Sequence, residues 1–273
     1  MIIRAMVLAS FFLCTGWSLS SAASAPLSLV VIDVARGRTL QAVGADQPRY
    51  PASLTKMMTL YLLFDALEQR KITLSTLMRV SRRAASMPQT ALGLRPGDRI
   101  SVRDAILALT TESANDVAVV VAEALAGSES RFAGRMTAKA RALGMQRTTF
   151  RNASGLPHPN QRTTAREMAL LGHALLRDHP RYYAHFGARA FVYRQVRHRN
   201  HNHLLGAYPG ADGIKTGFTV ASGYNLVASA KRGGTRLIGV VMGARSSAAR
   251  DALMMRLLDE GFRKVPAVRV AAR

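Results

Sequence analysis

Cysteine is almost missing from this sequence, since Cys14 is the only one among 273 residues. Disulfides, a cysteine nucleophile and thiolate metal sites all need cysteines in the folded part of the chain. Cys14 lies within an apolar opening segment, where the bulky residues Phe11, Phe12 and Leu13 before it disfavour a lipoprotein signal. If that segment is removed, the mature protein can have no disulfide, no cysteine nucleophile and no thiolate metal site.

The opening segment has the layout of a secretory signal. Arg4 is its one basic residue, an apolar run of about 15 residues follows, and small residues end the segment at Ala25. We therefore predict that residues 1–25 are a signal peptide and that the mature protein begins near Pro26, outside the cytoplasm. An uncleaved membrane anchor is the alternative, but the run is short for a helix that spans a bilayer.

Acidic residues are few: 16 stand against 38 lysines and arginines, and the net charge is +22. In an intracellular protein this balance would favour nucleic acid as the partner. The export signal argues against that class, and the basic residues are spread along the chain without a nucleic-acid-binding motif. Two interpretations stay open: electrostatic association with anionic material of a cell envelope, or a solvated basic surface.

The hydrophobic pattern predicts an α+β fold in one domain, residues 26–265, followed by a short tail, 266–273, with no second domain. Two β hairpins are expected, one near each end of the mature chain, and helices fill the middle. The economical arrangement is an antiparallel sheet of about five strands, flanked by helices, with a mostly helical subdomain and a site between them. The predicted strands are 28–35, 38–43, 224–232 and 235–243; the predicted helices are 53–70, 102–109, 115–126, 131–143, 165–177 and 246–262.

Lysine is scarce as well: the chain has 32 arginines and only six lysines. Lys56 nevertheless lies one turn into the apolar helical pattern, where an unpaired charge is costly. Unlike arginine, a buried lysine can lose its proton and act as a base, and Ser53, one turn earlier, is its expected partner. The other interpretation is an ordinary helix cap at Ser53 with the Lys56 side chain extended toward water.

Two further short motifs stand out. Ser113 and Asn115, with one residue between them, precede an apolar helical pattern, for which a helix cap is the plain interpretation. Lys215, Thr216 and Gly217 lead into a predicted strand, where glycine lets another segment lie close against the backbone. Turn formation would explain the glycine but not a lysine in a chain that otherwise uses arginine.

Together the three motifs form the signature of the penicillin-binding proteins and serine β-lactamases: Ser-x-x-Lys, Ser-x-Asn about 60 residues later, and Lys-Thr-Gly about 100 residues after that. The chain closely resembles the D-alanyl-D-alanine carboxypeptidases among the low-molecular-mass penicillin-binding proteins. The resemblance runs from about residue 28 to 262 and rests on four stretches: YPASLTKMMT, SANDVAVVVAEAL, ADGIKTGFTVASGYNLVASA and RLIGVVMG.

The resemblance implies a β-lactamase/DD-peptidase-like fold and a serine peptidase that removes the terminal D-alanine from peptidoglycan stem peptides, without a cofactor. Ser53 would be the nucleophile, Lys56 its base and Ser113 a proton relay toward the leaving amine. β-Lactams would be covalent inhibitors that acylate Ser53. The protein would then act in the periplasm or cell-wall space of a bacterium.

The resemblance also implies which residues bind the substrate. Asn115 would bond the substrate backbone or hold Lys56, and Lys215 would help to keep Lys56 unprotonated. Backbone N–H groups of Ser53 and Phe218 would form the oxyanion hole. The terminal carboxylate would be received by a hydroxyl and a guanidinium. The full substrate-binding set is Asn115, Lys215, Thr216, Gly217, Phe218 and Arg250.

Several alternatives remain open. A D,D-endopeptidase that cleaves peptidoglycan cross-links has the same motifs, and a basic envelope-binding protein without activity would share the charge. An efficient β-lactamase is disfavoured because the loop 151–163 has no acidic residue, while Glu167 is expected to complete a helix capping box with Thr164. A zinc site at His198, His201 and His203 is disfavoured because no carboxylate accompanies the histidines.

Overall fold

The computed structural model describes residues 26–265. The predicted signal peptide 1–25, Cys14 included, and the predicted tail 266–273 lie outside the described residues.

A five-stranded antiparallel sheet forms the centre of the molecule, in the order β2-β1-β9-β8-β7. Strands from both ends of the described chain meet in it, because β1 pairs with β9 along its whole length. Two separate two-stranded ribbons, β3–β4 and β5–β6, lie outside this sheet. The strands are β1 (Ser28–Asp33), β2 (Arg38–Val43), β3 (Leu77–Arg79), β4 (Arg99–Ser101), β5 (Ala190–Tyr193), β6 (Val196–Arg199), β7 (Ala211–Thr219), β8 (Gly223–Arg232) and β9 (Thr235–Ala244).

Helices cover both faces of the sheet and form a helical block beside it. A 3-10 turn, Ala52–Thr55, leads directly into the first of them, and a second 3-10 turn, Ala184–Gly187, follows the seventh. The helices are α1 (Lys56–Glu68), α2 (Arg82–Ala85), α3 (Val102–Thr110), α4 (Asn115–Ala126), α5 (Glu129–Ala142), α6 (Ala165–Asp178), α7 (Pro180–Tyr183), α8 (Leu204–Ala207) and α9 (Ser247–Lys264). No helix within residues 26–265 combines the length and the apolar character that crossing a membrane requires.

Successive residues of β9 face opposite helices, as the two-residue period of a strand dictates. A Cβ atom at Gly239 would lie 2.5 Å from the sulfur of Met254, so α9 packs directly against the strand there. The next side chain, Ile238, faces the other way, toward Gly172 of α6. The sheet is therefore covered on both faces, and β9 is buried along almost its whole length rather than at alternate residues.

The predicted fold class is confirmed, and most element boundaries agree within two or three residues. The predicted helix 53–70 is in fact a 3-10 turn followed by α1, which begins at Lys56. Strand β7 and the two small ribbons are absent from the predicted elements. The capping box is half formed: Thr164 Oγ1 accepts from the N–H of Glu167 (3.1 Å), but the Glu167 carboxylate bonds Arg147 N and Thr148 Oγ1 instead of reaching back.

Candidate active site

The first motif lies where the 3-10 turn meets α1. Ala52 has a left-handed backbone (φ +48°), which turns the chain sharply into the helix and leaves Ser53 at the edge of a cavity. Ser53 and Lys56 are three residues apart in a tightly wound turn, so their side chains lie on the same side. Ser53 Oγ and Lys56 Nζ are 3.1 Å apart.

Lys56 is completely buried, and its amine has three polar neighbours. Besides Ser53 Oγ, Nζ lies 2.7 Å from Asn115 Oδ1 and 2.6 Å from the carbonyl oxygen of Ser154. Burial is the main cause that lowers the pKa of Lys56 well below its ordinary value, and the positive charge of Lys215 adds to it. Both causes favour the neutral form of the Lys56 amine.

The second motif brings Ser113 and Asn115 to the same place. Ser113 has φ +64°, and its buried Oγ has no hydrogen-bond partner among residues 26–265. Ser113 is not a helix cap, because the N-cap of α4 is Ala114. Asn115 is the first residue of the helix, and its amide nitrogen donates to the carbonyl of Pro88 (2.9 Å). That bond orients Oδ1 toward Lys56.

The third motif lies within β7, at the edge of the sheet. A Cβ atom at Gly217 would lie 2.9 Å from Ser53 N and 3.0 Å from Leu54 N, so glycine is what lets the strand approach the nucleophile's backbone. Asn225 of β8, paired with Gly217, donates to the carbonyl of Tyr50 at 3.2 Å. The sheet and the nucleophile's turn are thus fixed to each other.

Lys215 is buried beside this junction, and its pKa is lowered to about 7. Burial is the largest cause, the positive charge of Arg250 is the next, and Glu112 acts in the opposite direction. Arg250 is also buried, so it is not a charge on the helix surface. Its guanidinium is held by Asp251 Oδ1 (2.8 Å from Nε) and by Ser247 Oγ (3.0 Å from Nη2).

These residues surround one cavity of about 340 Å³. Phe218 is half exposed at its mouth and packs on Tyr224, with ring centroids 4.3 Å apart. Lys56, Asn115 and Lys215 lie behind the lining rather than in it. The lining consists of Ser53, Gln89, Thr90, Ser113, His201, His203, Thr216, Gly217, Phe218, Tyr224, Ser247 and Arg250.

The three histidines of the RQVRHRNHNH stretch do not gather into one metal-binding cluster. His198 pairs with Glu112 (3.0 Å) and His203 with Asp251 (3.2 Å), while His201 and His203 both line the cavity. Within residues 26–265, no three histidine, cysteine or acidic side chains are grouped closely enough to hold a metal ion. No carboxylate was expected beside these histidines, because Glu112 and Asp251, which pair with two of them, are distant from them in the sequence.

Residues 18–246 match the family model described as D-alanyl-D-alanine carboxypeptidase. The chain belongs to this family. The resemblance that the three motifs indicate is thereby confirmed.

Individual relatives agree with the family. The chain is 41% identical over 241 residues to the D-alanyl-D-alanine carboxypeptidase DacC of Escherichia coli (strain K12), a match that covers 86% of this chain and 60% of that protein. The curated relatives are longer, and this chain spans about 60% of the length of DacC. Penicillin binding protein 5 from Haemophilus influenzae superposes with a TM-score of 0.84 at 35% identity, covering 86% of this chain and 70% of the other.

A third relative has been solved with drugs bound. Penicillin-binding protein D2 from Listeria monocytogenes, in its ampicillin-bound form, has a TM-score of 0.79 and 31% identity, and the match covers 86% of this chain and 96% of that one. The same protein is also known in a cefotaxime-bound form. Fold and family are therefore those of the low-molecular-mass penicillin-binding proteins.

Proposed function

We propose that this chain is a serine-type D-alanyl-D-alanine carboxypeptidase that removes the terminal D-alanine from peptidoglycan stem peptides. The observation that carries the proposal is the set of three neighbours around Lys56 Nζ. A neutral amine has two N–H donors and one lone pair. The two carbonyl-type oxygens, Asn115 Oδ1 and Ser154 O, take the two donors, and the lone pair is left for the hydroxyl hydrogen of Ser53.

The acylation step follows from this arrangement. Ser53 Oγ attacks the carbonyl carbon between the two D-alanines, and its proton passes to Lys56 Nζ. The carbonyl oxygen becomes negative and is stabilised by the backbone N–H groups of Ser53 and Phe218. Removing one such donor typically costs a factor of about 10²–10³ in rate.

Ser113 is suited to complete the step. Its hydroxyl is buried and unpartnered among the described residues, and it lines the same cavity as Ser53. The proton held by Lys56 can pass through this hydroxyl to the nitrogen of the leaving D-alanine as the C–N bond breaks. An unsatisfied buried hydroxyl is costly in a resting protein, so a role in the occupied site explains its retention.

The carboxylate of the leaving D-alanine is assigned to the cationic end of the cavity. Thr216 offers a hydroxyl and Arg250 a guanidinium, both in the lining. The side chain of Arg250 is held in place by Asp251 and Ser247, so it does not have to be ordered on binding. Lys215, buried behind the cavity lining, adds positive charge that favours the carboxylate. The same charge lowers the pKa of Lys56.

Water then cleaves the ester: its hydroxyl adds to the acyl carbon, and its hydrogen returns to Ser53 Oγ. The loop 151–163 has no acidic side chain to activate that water, and the Glu167 carboxylate is occupied by Arg147 N and Thr148 Oγ1. Slow hydrolysis of a penicilloyl ester is expected, so β-lactams should act as long-lived covalent inhibitors rather than as good substrates.

We also propose that residues 26–265 form the peptidase domain and that the protein is exported to the periplasm or cell-wall space of a bacterium. The secretory layout of residues 1–25 and the peptidoglycan substrate support export. With a net charge of +22, electrostatic association with anionic envelope material is a further part of the proposal, and salt should weaken it.

The test is intact-mass spectrometry of the protein after incubation with benzylpenicillin, beside a Ser53→Ala variant, together with release of D-alanine from a stem pentapeptide. We expect one adduct per wild-type molecule, none on the variant, and D-alanine from the wild type alone. Cleavage of cross-linked dimers in preference to the pentapeptide would favour the D,D-endopeptidase. No adduct and no release would leave only the inactive envelope-binding protein.

A further inference from the structure

A further cavity, of about 310 Å³, lies between the β5–β6 ribbon and the loop that precedes β4. We call it the ribbon groove, and we call the cavity lined by Ser53 and Arg250 the cationic cavity. The proposed reaction gives the ribbon groove no role. Its lining includes Tyr193, Arg194 and His198 from the ribbon and Leu92, Arg95 and Asp98 from the loop.

The ribbon groove adjoins the cationic cavity on the side of the second motif. One loop passes from one cavity to the other, because Thr90 lines the cationic cavity and Leu92 lines the groove. There is a second connection through the ribbon. The His198 ring nitrogen lies 3.0 Å from the carboxylate of Glu112, and Glu112 directly precedes Ser113. A polymer that reaches the nucleophile can therefore also reach the groove.

Arg95 gives the groove a positive charge that no close carboxylate neutralises. Asp98 is the acidic residue of the lining, and its carboxylate pairs with Arg194 at 3.0 Å. Within residues 26–265, no acidic side chain forms an ion pair with Arg95. The ribbon adds further positive charge, since residues 189–199 contain four arginines and no acidic residue. The groove is thus suited to an anion, and a guanidinium matches the geometry of a carboxylate.

The rest of the lining suits a peptide better than a chain of phosphates. Leu92 and Val196 offer aliphatic surface, and the Tyr193 ring offers aromatic surface. The Arg194 guanidinium lies 5.4 Å from the centroid of that ring, so the ring and Asp98 both hold it. A polyphosphate gains nothing from apolar surface. A stem peptide has aliphatic side chains together with a free terminal carboxylate.

Resting on the proposed function, we infer that the ribbon groove binds a second stem peptide of the peptidoglycan polymer while the first occupies the cationic cavity. Arg95 receives the carboxylate of the second stem, and Leu92 and Tyr193 contact its side chains. The polymer repeats the same stem many times, so a strand held at one stem keeps the next stems close to Ser53. The groove therefore favours polymeric substrates over single stem peptides.

The two faces of the ribbon provide a matched control. Side chains alternate along a strand, and Tyr193 and Val196, which pair with each other, both line the groove. Val192 and Arg197 form the next pair, so Arg197 faces away from the groove. A change at Arg197 alters the charge of the ribbon by the same amount as a change at Arg95 but leaves the groove intact.

The experiment compares two substrates with identical stems. One is a preparation of glycan strands that carry uncross-linked pentapeptide stems, and the other is the disaccharide-pentapeptide monomer obtained by digesting the same strands. The measurement is kcat/KM for D-alanine release per stem, expressed as the ratio of strand to monomer. It is made on the wild type, Arg95→Gln, Arg95→Glu and the control Arg197→Glu. Labelling of Ser53 by benzylpenicillin verifies that each variant is folded.

We expect a wild-type ratio of about ten, because a strand engages both sites. Arg95→Gln should lower the ratio about threefold, since it removes one exposed charge contact. Arg95→Glu should bring the ratio close to one, because it repels the carboxylate of the second stem. Arg197→Glu should keep the ratio within twofold of the wild-type value.

A wild-type ratio within twofold of one, or an Arg95→Glu variant that keeps the wild-type ratio, would overturn the inference. An equal loss in Arg197→Glu would also overturn it, because general attraction to the basic ribbon would then explain the preference. The same holds if Arg95→Glu abolishes binding to phosphatidylglycerol vesicles and leaves the ratio unchanged, since the groove would then serve a membrane. The proposed function fails in another way: neither substrate releases D-alanine, and benzylpenicillin leaves Ser53 unmodified.

Discussion

Replacing Lys56 by arginine tests the central claim about the site, namely that a neutral lysine accepts the proton of Ser53. Arginine keeps the hydrogen-bond donors, but its guanidinium is always charged and does not give up a proton in a protein. General-base catalysis contributes a factor of about 10²–10⁴. We therefore expect Lys56→Arg to lower the rate of Ser53 acylation by about that factor.

A second variant, Lys56→Met, separates the loss of the base from the strain of a larger side chain. Methionine is close to lysine in length and carries no charge into this completely buried position. It leaves Asn115 Oδ1 and the Ser154 carbonyl without their donor, which costs about 1–3 kcal/mol for each buried acceptor. The variant should therefore fold with reduced stability and show the same loss of acylation.

The assay is the time course of penicillin adduct formation by mass spectrometry, from which the second-order acylation constant follows. Lys231→Arg is the matched control, because Lys231 is exposed near the far end of β8 and the same exchange there should leave the constant unchanged. If Lys56→Arg or Lys56→Met acylated within tenfold of the wild-type rate, Lys56 would not be the base, and the assignment of its lone pair to Ser53 would be refuted.

Two further predictions concern charge and backbone. The proposed function uses the protonated form of Lys215, so its pKa of about 7 should set an alkaline limit of kcat/KM. Arg250→Gln removes a like charge and should move that limit to higher pH. Glu112→Gln removes an opposite charge and should move the limit to lower pH. Shifts of the same sign, or none, would contradict this account of the cationic cavity. Gly155→Ala should lower the free energy of unfolding by about 3 kcal/mol or more in urea titration, whereas Gly144→Ala should cost only about 1 kcal/mol. Both glycines have positive φ, but only Gly155 also meets a neighbouring backbone, so equal losses would show that the clash is unimportant.

The elements that sequence reasoning predicted well are those with a strong and local signal. Strand β1 has four apolar residues in a row at its centre, and α4 is apolar without a break from Val117 to Ala122, so the sequence alone indicated both elements. Lys56 stood out because the chain rarely uses lysine. The ribbon β5–β6 has no such signal: it is exposed, basic and short, and its residues Val192 and Val196 face water. Of the ribbon's residues only Phe191 is buried, and a single inward-facing side chain is too little to show a hydrophobic period.

Three polar residues near the cationic cavity were not assigned to it for a different reason, and one of them, His203, was considered only as part of a zinc site. Glu112, His203 and Asp251 are single polar residues in segments distant from one another, and only the folded chain pairs His203 with Asp251 at 3.2 Å. Ser113 was visible as part of a motif, but its left-handed backbone was not. A helix-cap interpretation fitted its sequence equally well. The structure separates the two interpretations because the cap position falls on Ala114.

The three motifs are far apart in the chain, and the sheet explains how they act as one site. Gly217 can approach Ser53 N because β7 is an edge strand, free on the side that faces the nucleophile's turn. Asn225 then ties that turn to the sheet through the Tyr50 carbonyl. The same junction separates the cavity lined by Ser53 and Arg250 from a second cavity lined by Ala52 and Leu156, so the two cavities lie on either side of the turn. A substrate bound in the reverse direction would place its carboxylate against the apolar wall at Leu156, where no buried cation lines the cavity among the described residues. Under the proposed function, the position of Arg250 in one cavity and not in the other therefore fixes the direction in which the substrate binds.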